Sequence, residues 1–213
     1  MEAVVHFENA GVSLGGNPVL RDLDLVVNPG ESIGIAGPNG SGKTTLVRAA
    51  ATLLSVDSGT VTVLGADSRH PDLATRRSIG LIGHQPAVIP ELTLEENLAH
   101  IARLAGVDTG RVGKALEVVG LAAAADRRAD ASSFGMRRRI EIAHLLLTRP
   151  MLLLLDEAAS GLDDSARDLV DALVRSVCDR GGGCLVVSHD RSQLAALTSR
   201  VMHLVGGRLE TVS

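Results

Sequence analysis

The sequence predicts an α/β protein with a leading antiparallel β subdomain and an inserted helical subdomain. Three observations point there. Strand-like and helix-like segments alternate at both ends of the chain. Leu23, Leu25 and Val27 alternate with polar neighbours, as in a half-buried antiparallel strand. From Thr93 to Arg149 the pattern is helical throughout.

Taken in order, Ala3 to Glu8 and Val19 to Val27 read as strands, joined by the turn Gly15-Gly16-Asn17-Pro18. Ser32 to Ala36 is a short apolar strand, and a helix is expected from Lys43 to Leu54. Thr60 to Leu64 and Ser78 to Ile82 are further strands. Thr93-Leu94-Glu95-Glu96 is a capping box opening a helix, with breaks expected near Gly110 and Gly120. Ser133 is the expected N-cap of a helix reaching Thr148, which Pro150 stops. Met151 to Leu155 is wholly apolar, as a strand buried in a parallel sheet should be. A helix from Asp164 to Arg180 with Gly181 as its C-cap, a strand from Cys184 to Ser188, and a hairpin of Val201 to Val205 with Arg208 to Val212 complete the chain. The expected division is one domain, with 1–87 and 150–213 as the α/β core and 88–149 as the helical insert.

Composition narrows the function. With 45% hydrophobic residues in 213, a sizeable core can be buried. The aromatics are only Phe7 and Phe134, so stacking platforms for bases are missing, and the net charge of −4 argues against a nucleic-acid partner. Cys178 and Cys184 lack zinc-site spacing and are expected as reduced thiols. The start has no basic region of a secretory signal, and no apolar run, Met151 to Leu155 included, approaches the ~20 residues of a membrane span. Any membrane role must therefore come through a partner, and the chain itself is expected in the cytoplasm.

Gly37-Pro38-Asn39-Gly40-Ser41-Gly42-Lys43-Thr44 fits the phosphate-binding loop in full, with an apolar strand before it and a helix after it. Glycines let the backbone turn its N–H groups toward phosphates, and the helix N-terminus adds a positive dipole end. Lys43 is expected to reach the outer phosphates and Thr44 to ligate Mg²⁺, with Thr45 completing the binding segment. Some ~110 residues on, Leu152-Leu153-Leu154-Leu155-Asp156-Glu157 delivers two carboxylates from a buried strand. Asp156 suits the metal, and Glu157 suits the attacking water. The expected core is thus a P-loop NTPase (RecA-like) sheet.

The chain also resembles the ATP-binding cassette (ABC) ATPases over essentially its whole length. Gln85 stands where that family has its Q-loop glutamine. Ser133-Phe134-Gly135-Met136-Arg137-Arg138-Arg139 resembles the LSGGQ signature and the basic helix after it. Ala159-Ser160-Gly161-Leu162-Asp163 looks like the D-loop, and His189 like the switch histidine. The resemblance implies two protomers closing head to tail on two ATPs. Each ATP would lie between one phosphate loop and the other protomer's Ser133 and Gly135. Glu157 and His189 would be catalytic, Gln85 would join Thr44 and Asp156 on Mg²⁺, Asp163 would belong to the nucleotide-binding set, and a transmembrane permease subunit would dock near Gln85. The short chain looks like minimal exporter ATPases, including the haem-exporter and drug-exporter types.

The pattern departs at Ser132, Phe134 and Met136 of the signature, and at Leu14, where the family often stacks an aromatic on adenine. Arg137, Arg138 and Arg139 read as a solvated basic helix face, and His84 and His144 as structural or surface residues. Two competing readings are a soluble regulatory or scaffolding ABC ATPase and a small-molecule kinase. Gln85, Ser133-Phe134-Gly135 and His189, which a kinase does not need, disfavour the latter.

Overall fold

The structure, a computed structural model, describes residues 2–158 and 162–211. Its packing divides the chain into two compact units, one of residues 1–81, 150–158 and 174–213, the other of 82–149 and 159–173.

The first unit carries two sheets. Strands β1 (Val5–Leu14), β2 (Asn17–Val27), β4 (Ser58–Val63) and β5 (Ala66–Asp67) form an antiparallel sheet in the order β2-β1-β4-β5. A second sheet has the order β10-β9-β3-β8-β7-β6, built from β3 (Ser32–Ala36), β6 (Ile79–Ile82), β7 (Leu152–Asp156), β8 (Gly183–Val187), β9 (Arg200–Val205) and β10 (Arg208–Thr211). Strands β9, β3, β8 and β7 pair in parallel, and β10 is antiparallel to β9. Every residue of β3, β7 and β8 is buried, which is why they read as continuous rather than alternating apolar runs. One aliphatic core around Phe7 joins both sheets to helix α1 (Lys43–Ala50) through Leu46, Val47, Ala49 and Ala50.

The second unit is helical. Helix α3 (Leu94–Ala105) opens with the expected capping box, Thr93 to Glu96 and back, and ends at Gly106 with φ 72. Helix α4 (Val112–Val118) follows a single 3₁₀ turn. Helix α5 (Phe134–Thr148) is capped by Ser133, whose Oγ accepts from the Met136 N–H at 3.2 Å. Buried Asn97 ties the segment before α3: its Oδ1 accepts from the Ile89 N–H, and its Nδ2 donates to the carbonyls of Ile89 and Thr93.

Several expectations needed correction. Strand β1 runs on to Leu14 because a bulge at Asn9, with φ 46, carries it past the polar Glu8-Asn9 pair and returns Ala10 and Val12 to the core. Helix α1 stops at Ala50, four residues early. Thr52 turns left-handed at φ 59, and the N–H groups of Thr52 and Leu53 donate to the carbonyls of Ala49 and Arg48 in a Schellman closure. Helices α2 (Leu73–Arg77), capped by Asp72, and α7 (Arg191–Leu197), capped by Asp190, were not expected. Helix α6 (Asp164–Asp179) and the closing hairpin formed as expected.

The three arginines of α5 are not a solvated face. Successive helical residues point ~100° apart, so three in a row cannot share one side. Arg138 is fully buried, Arg137 donates to the carbonyls of Ala129 and Ser132, and Arg139 pairs with Asp163.

Candidate functional site

Strand β3 delivers the chain into loop 37–42, and α1 begins at Lys43. The loop needs its glycines. A Cβ on Gly37 would stand 2.3 Å from the Leu204 carbonyl oxygen, and Gly42, at φ 104, would push one to 2.9 Å from the Leu20 side chain. Pro38, Asn39 and Gly40 are exposed at the rim, while Ser41 and Thr45 are buried beneath. The Lys43 ammonium folds back over the loop and donates to the carbonyls of Gly37 at 2.8 Å and Pro38 at 2.9 Å. The first turn of α1 presents backbone N–H groups that have no partner within the helix.

Strand β7 brings the carboxylates to the same place. Asp156 ends the strand and is 6% exposed. Glu157 follows with φ 55, left-handed for a residue with a Cβ, and its N–H donates to the Val187 carbonyl at 3.0 Å. Strained backbone of this kind collects at functional positions. The turn aims the Glu157 side chain at His189, just past the end of β8, with Oε2 2.8 Å from Nδ1. The His189 ring is 73% exposed, and Asp190, not His189, caps the following helix.

Lys43, Thr44, Thr45, Asp156, Glu157, Asn39, Gly40, Gly42 and Val19 line one open cavity of about 270 Å³. An ammonium, a helix N-terminus, a hydroxyl and two carboxylates around one cavity suit a polyphosphate carrying a hard divalent cation. The buried Ser41 Oγ, which has no partner among the described residues, is a further polar group beneath the loop. The residues present therefore fit both Mg²⁺ and ATP.

The remaining expected residues lie in the second unit. Gln85 is exposed, and its flanks are gripped by α5: Arg138 donates to the His84 carbonyl at 3.0 Å, and Glu141 accepts from the Ala87 N–H at 2.9 Å. Arg138 and Glu141 form an ion pair at 2.6 Å, with 0% and 7% of their side chains exposed. Burial pulls the Arg138 guanidinium down and pushes the Glu141 carboxyl up from their usual ranges. The Arg138 guanidinium also lies over the Phe134 ring, 5.3 Å from its centroid. The ring at the signature's departure thus stacks one turn along its own helix, beside Gly135 and the capping Ser133.

Asp163 accepts from the Ala166 N–H, from Arg139 at 2.8 and 3.0 Å, and from Ser165. The Ala166 N–H, then Arg139 and Ser165, hold its carboxyl below the usual range. Ala159, Ser160 and Gly161 of the expected D-loop lie outside the described residues.

Sequence reasoning missed Glu141 and Asp190. A lone acid amid Ile140, Ile142 and Ala143, three residues after an arginine, was the available signal for the first. An acid three residues before Gln193 was the signal for the second.

The family model described as ABC transporter matches residues 20–160. Nod factor export ATP-binding protein I of Rhizobium etli is 33% identical over 208 residues, covering 96% of this chain and 66% of that protein. The daunorubicin/doxorubicin resistance ATP-binding protein DrrA of Streptomyces peucetius is 38% identical over 198 residues, covering 91% and 60%. The Fe(3+) ions import ATP-binding protein FbpC of Streptomyces coelicolor is 36% identical over 212 residues, covering 97% and 61%. The chain thus spans between 60% and 66% of the length of these relatives. Among solved structures, an ATP-binding subunit of an ABC transporter superposes with a TM-score of 0.90 at 24% identity, covering 98% of this chain and 90% of that one. A dimeric ATP-binding cassette in a post-hydrolysis state, bound to ADP and Pi, gives 0.85 at 25% identity, covering 97% and 96%.

Proposed function

This chain belongs to the ABC transporter family, and from that premise we propose that it binds and hydrolyses ATP as the nucleotide-binding subunit of an ABC exporter, powering a separate transmembrane subunit. The observation that carries the reading is the meeting of the phosphate loop, Asp156 and the Glu157–His189 pair at the carboxyl ends of β3, β7 and β8.

In this reading the N–H groups of residues 37–45 cradle the phosphates. Lys43 exchanges the carbonyls of Gly37 and Pro38 for the outer phosphate oxygens. Thr44 and Asp156 would hold Mg²⁺, which when bound would neutralise charge on those oxygens. Glu157 orients the attacking water and draws its proton. His189 steadies the Glu157 carboxylate through Nδ1 and turns Nε2 toward the γ-phosphate.

A second protomer completes the site. Its Ser133 and Gly135, at the start of its α5, face the γ-phosphate with the dipole of that helix. The dimeric neighbour with ADP and Pi supports this pairing. Asp163, saturated by Arg139, Ser165 and Ala166, serves by fixing the start of α6.

The membrane step is assigned to a partner because no helix among the described residues is long and apolar enough to cross a membrane. The partner's docking surface is proposed near Gln85, as the resemblance implies; the first unit separately offers an apolar hollow lined by Ala51, Thr52, Leu53, Arg76, Ile79 and Leu81, with Leu53 58% exposed. Export is favoured by two relatives, named for Nod factor export and for drug resistance, against one named for import. The test is co-purification from membranes with a multi-span subunit, followed by vesicle transport. ATP-dependent movement away from the chain's side supports the reading. Movement toward it overturns the direction, and failure to retain any membrane subunit overturns the coupling.

A further inference from the structure

Two thiols stand outside the nucleotide site, and the fold brings them together. Cys178 is in the last turn of α6 and Cys184 is the second residue of β8. Their Sγ atoms are 3.7 Å apart. Cys184 is fully buried, with its Sγ against the Val174 carbonyl at 3.8 Å, whereas Cys178 is only half-buried. The turn between them is fixed. Gly181 and Gly182 donate to the carbonyls of Cys178 and Val177, and Gly183 donates to the Met151 carbonyl. Gly182 admits no side chain, since a Cβ there would stand 2.5 Å from the Met151 carbonyl oxygen. Arg180 is clamped by Ser176 and by the Pro150 carbonyl. A disulfide needs sulfurs ~2.05 Å apart, so the two sulfurs, already in contact, must close further to bond.

We propose that Cys178 and Cys184 are an oxidisable thiol pair, in which a hydroperoxide attacks at Cys178 and Cys184 resolves the product to an intramolecular disulfide. The Cys178 thiolate takes the terminal peroxide oxygen. An S–O bond forms, the O–O bond breaks, and the hydroxide or alkoxide released takes a proton to become water or an alcohol. Sulfur loses two electrons, which the peroxide gains. The Cys184 sulfur then attacks the Cys178 sulfenic acid. The S–S bond forms, the S–O bond breaks, and the proton of Cys184 leaves with the hydroxide as a second water.

The assignment of roles follows from the surroundings. The hydrogen bond from Cys184 brings the Cys178 thiol down to about 7, against the effect of burial. The same contact, together with burial, pushes Cys184 up, so it keeps its proton and waits. Peroxide reaches the half-exposed sulfur first. Cys184 sits at the start of β8, and His189 follows the end of that strand five residues later, ~16 Å away at strand rise. The link would therefore staple α6 to β8 at the amino end of that strand, the end opposite the phosphate loop.

The test treats the full, reduced chain with a few equivalents of hydrogen peroxide, quenches with an alkylating agent under denaturing conditions, and maps the peptides by mass. The expected product is one intramolecular Cys178–Cys184 link, two hydrogens lighter, protected from alkylation and released by dithiothreitol. Cys184→Ser should stop at a sulfenic acid on Cys178 that dimedone traps, and Cys178→Ser should react at least tenfold more slowly. Both thiols remaining alkylatable in the wild-type chain would overturn the proposal, as would sulfinic acid without a disulfide, a cross-link between chains, or a Cys178→Ser variant that reacts as fast as wild type. The wild-type readout stands even if a variant fails to fold.

Discussion

Replacing Glu141 with alanine should cost the helical unit more than any other single truncation in it. The change strips the counter-charge from Arg138, which is fully buried and whose Nε has no partner among the described residues. Removing one member of a buried ion pair costs about 3–5 kcal/mol, because the remaining charge is stranded away from water. Ala87 also loses its acceptor, but it is exposed and water replaces most of that bond. At roughly 2–4 °C per kcal/mol for a chain of this size, the melting point should fall by about 6–20 °C. The double variant Arg138→Leu with Glu141→Leu removes both charges. It forfeits the bond to the His84 carbonyl, the stack on Phe134 and the same exposed Ala87 bond that the single variant loses, together ~1–3 kcal/mol. The double variant should therefore be more stable than the single one. Thermal and urea unfolding followed by far-ultraviolet circular dichroism decide it. A single variant within 1 kcal/mol of wild type, as a rough bound on surface substitutions, or a double variant weaker than the single, would refute the reasoning.

Three further outcomes follow. Burial holds His144 down to about 4, so the unfolded chain takes up that proton first, near 6.5. Stability should be complete above that pH and fall between 6.5 and 4 by up to about 3 kcal/mol, and His144→Gln should flatten this part of the urea-midpoint profile; an unchanged slope contradicts the assignment. Leu14, 43% exposed at the end of β1, offers a base contact area but no ring, so ATP and GTP affinities measured by titration calorimetry should differ by less than about a hundredfold, some 2.7 kcal/mol. In steady-state hydrolysis by the assembled complex, Phe134→Gly should change turnover only modestly, because the native ring already stacks under Arg138, whereas Ser133→Arg should nearly abolish it by placing bulk at the helix start; a rise of orders of magnitude for Phe134→Gly would mean the ring blocks the site.

The nucleotide-binding half was legible because its chemistry is local. The glycines of residues 37–42, Lys43 and the run ending in Asp156-Glu157 each do their work within a few residues of their neighbours, so spacing alone reveals them. The resemblance implied catalytic roles for Glu157 and His189 but not their direct contact, which joins the ends of two strands that pair through the sheet. Arg138 was misread because a run of like charges suggests a wet face, whereas helical geometry turned one of the three wholly inward. Helix α1 was overextended because Thr52 adopts a left-handed turn usually given to glycine. Helix α7, seven residues long, is too short to show a convincing period.

The most direct test of the central claim is Glu157→Gln, compared with wild type for equilibrium Mg-ATP binding and for phosphate release. Glutamine keeps the length and the left-handed turn at φ 55 but cannot take a proton. Binding should stay within a few-fold of wild type, while turnover falls by about a hundredfold to ten-thousandfold, the range of a lost general base. Turnover retained within about tenfold would remove Glu157 from the chemistry, and loss of ATP binding would show that the residue supports the site's structure rather than the reaction.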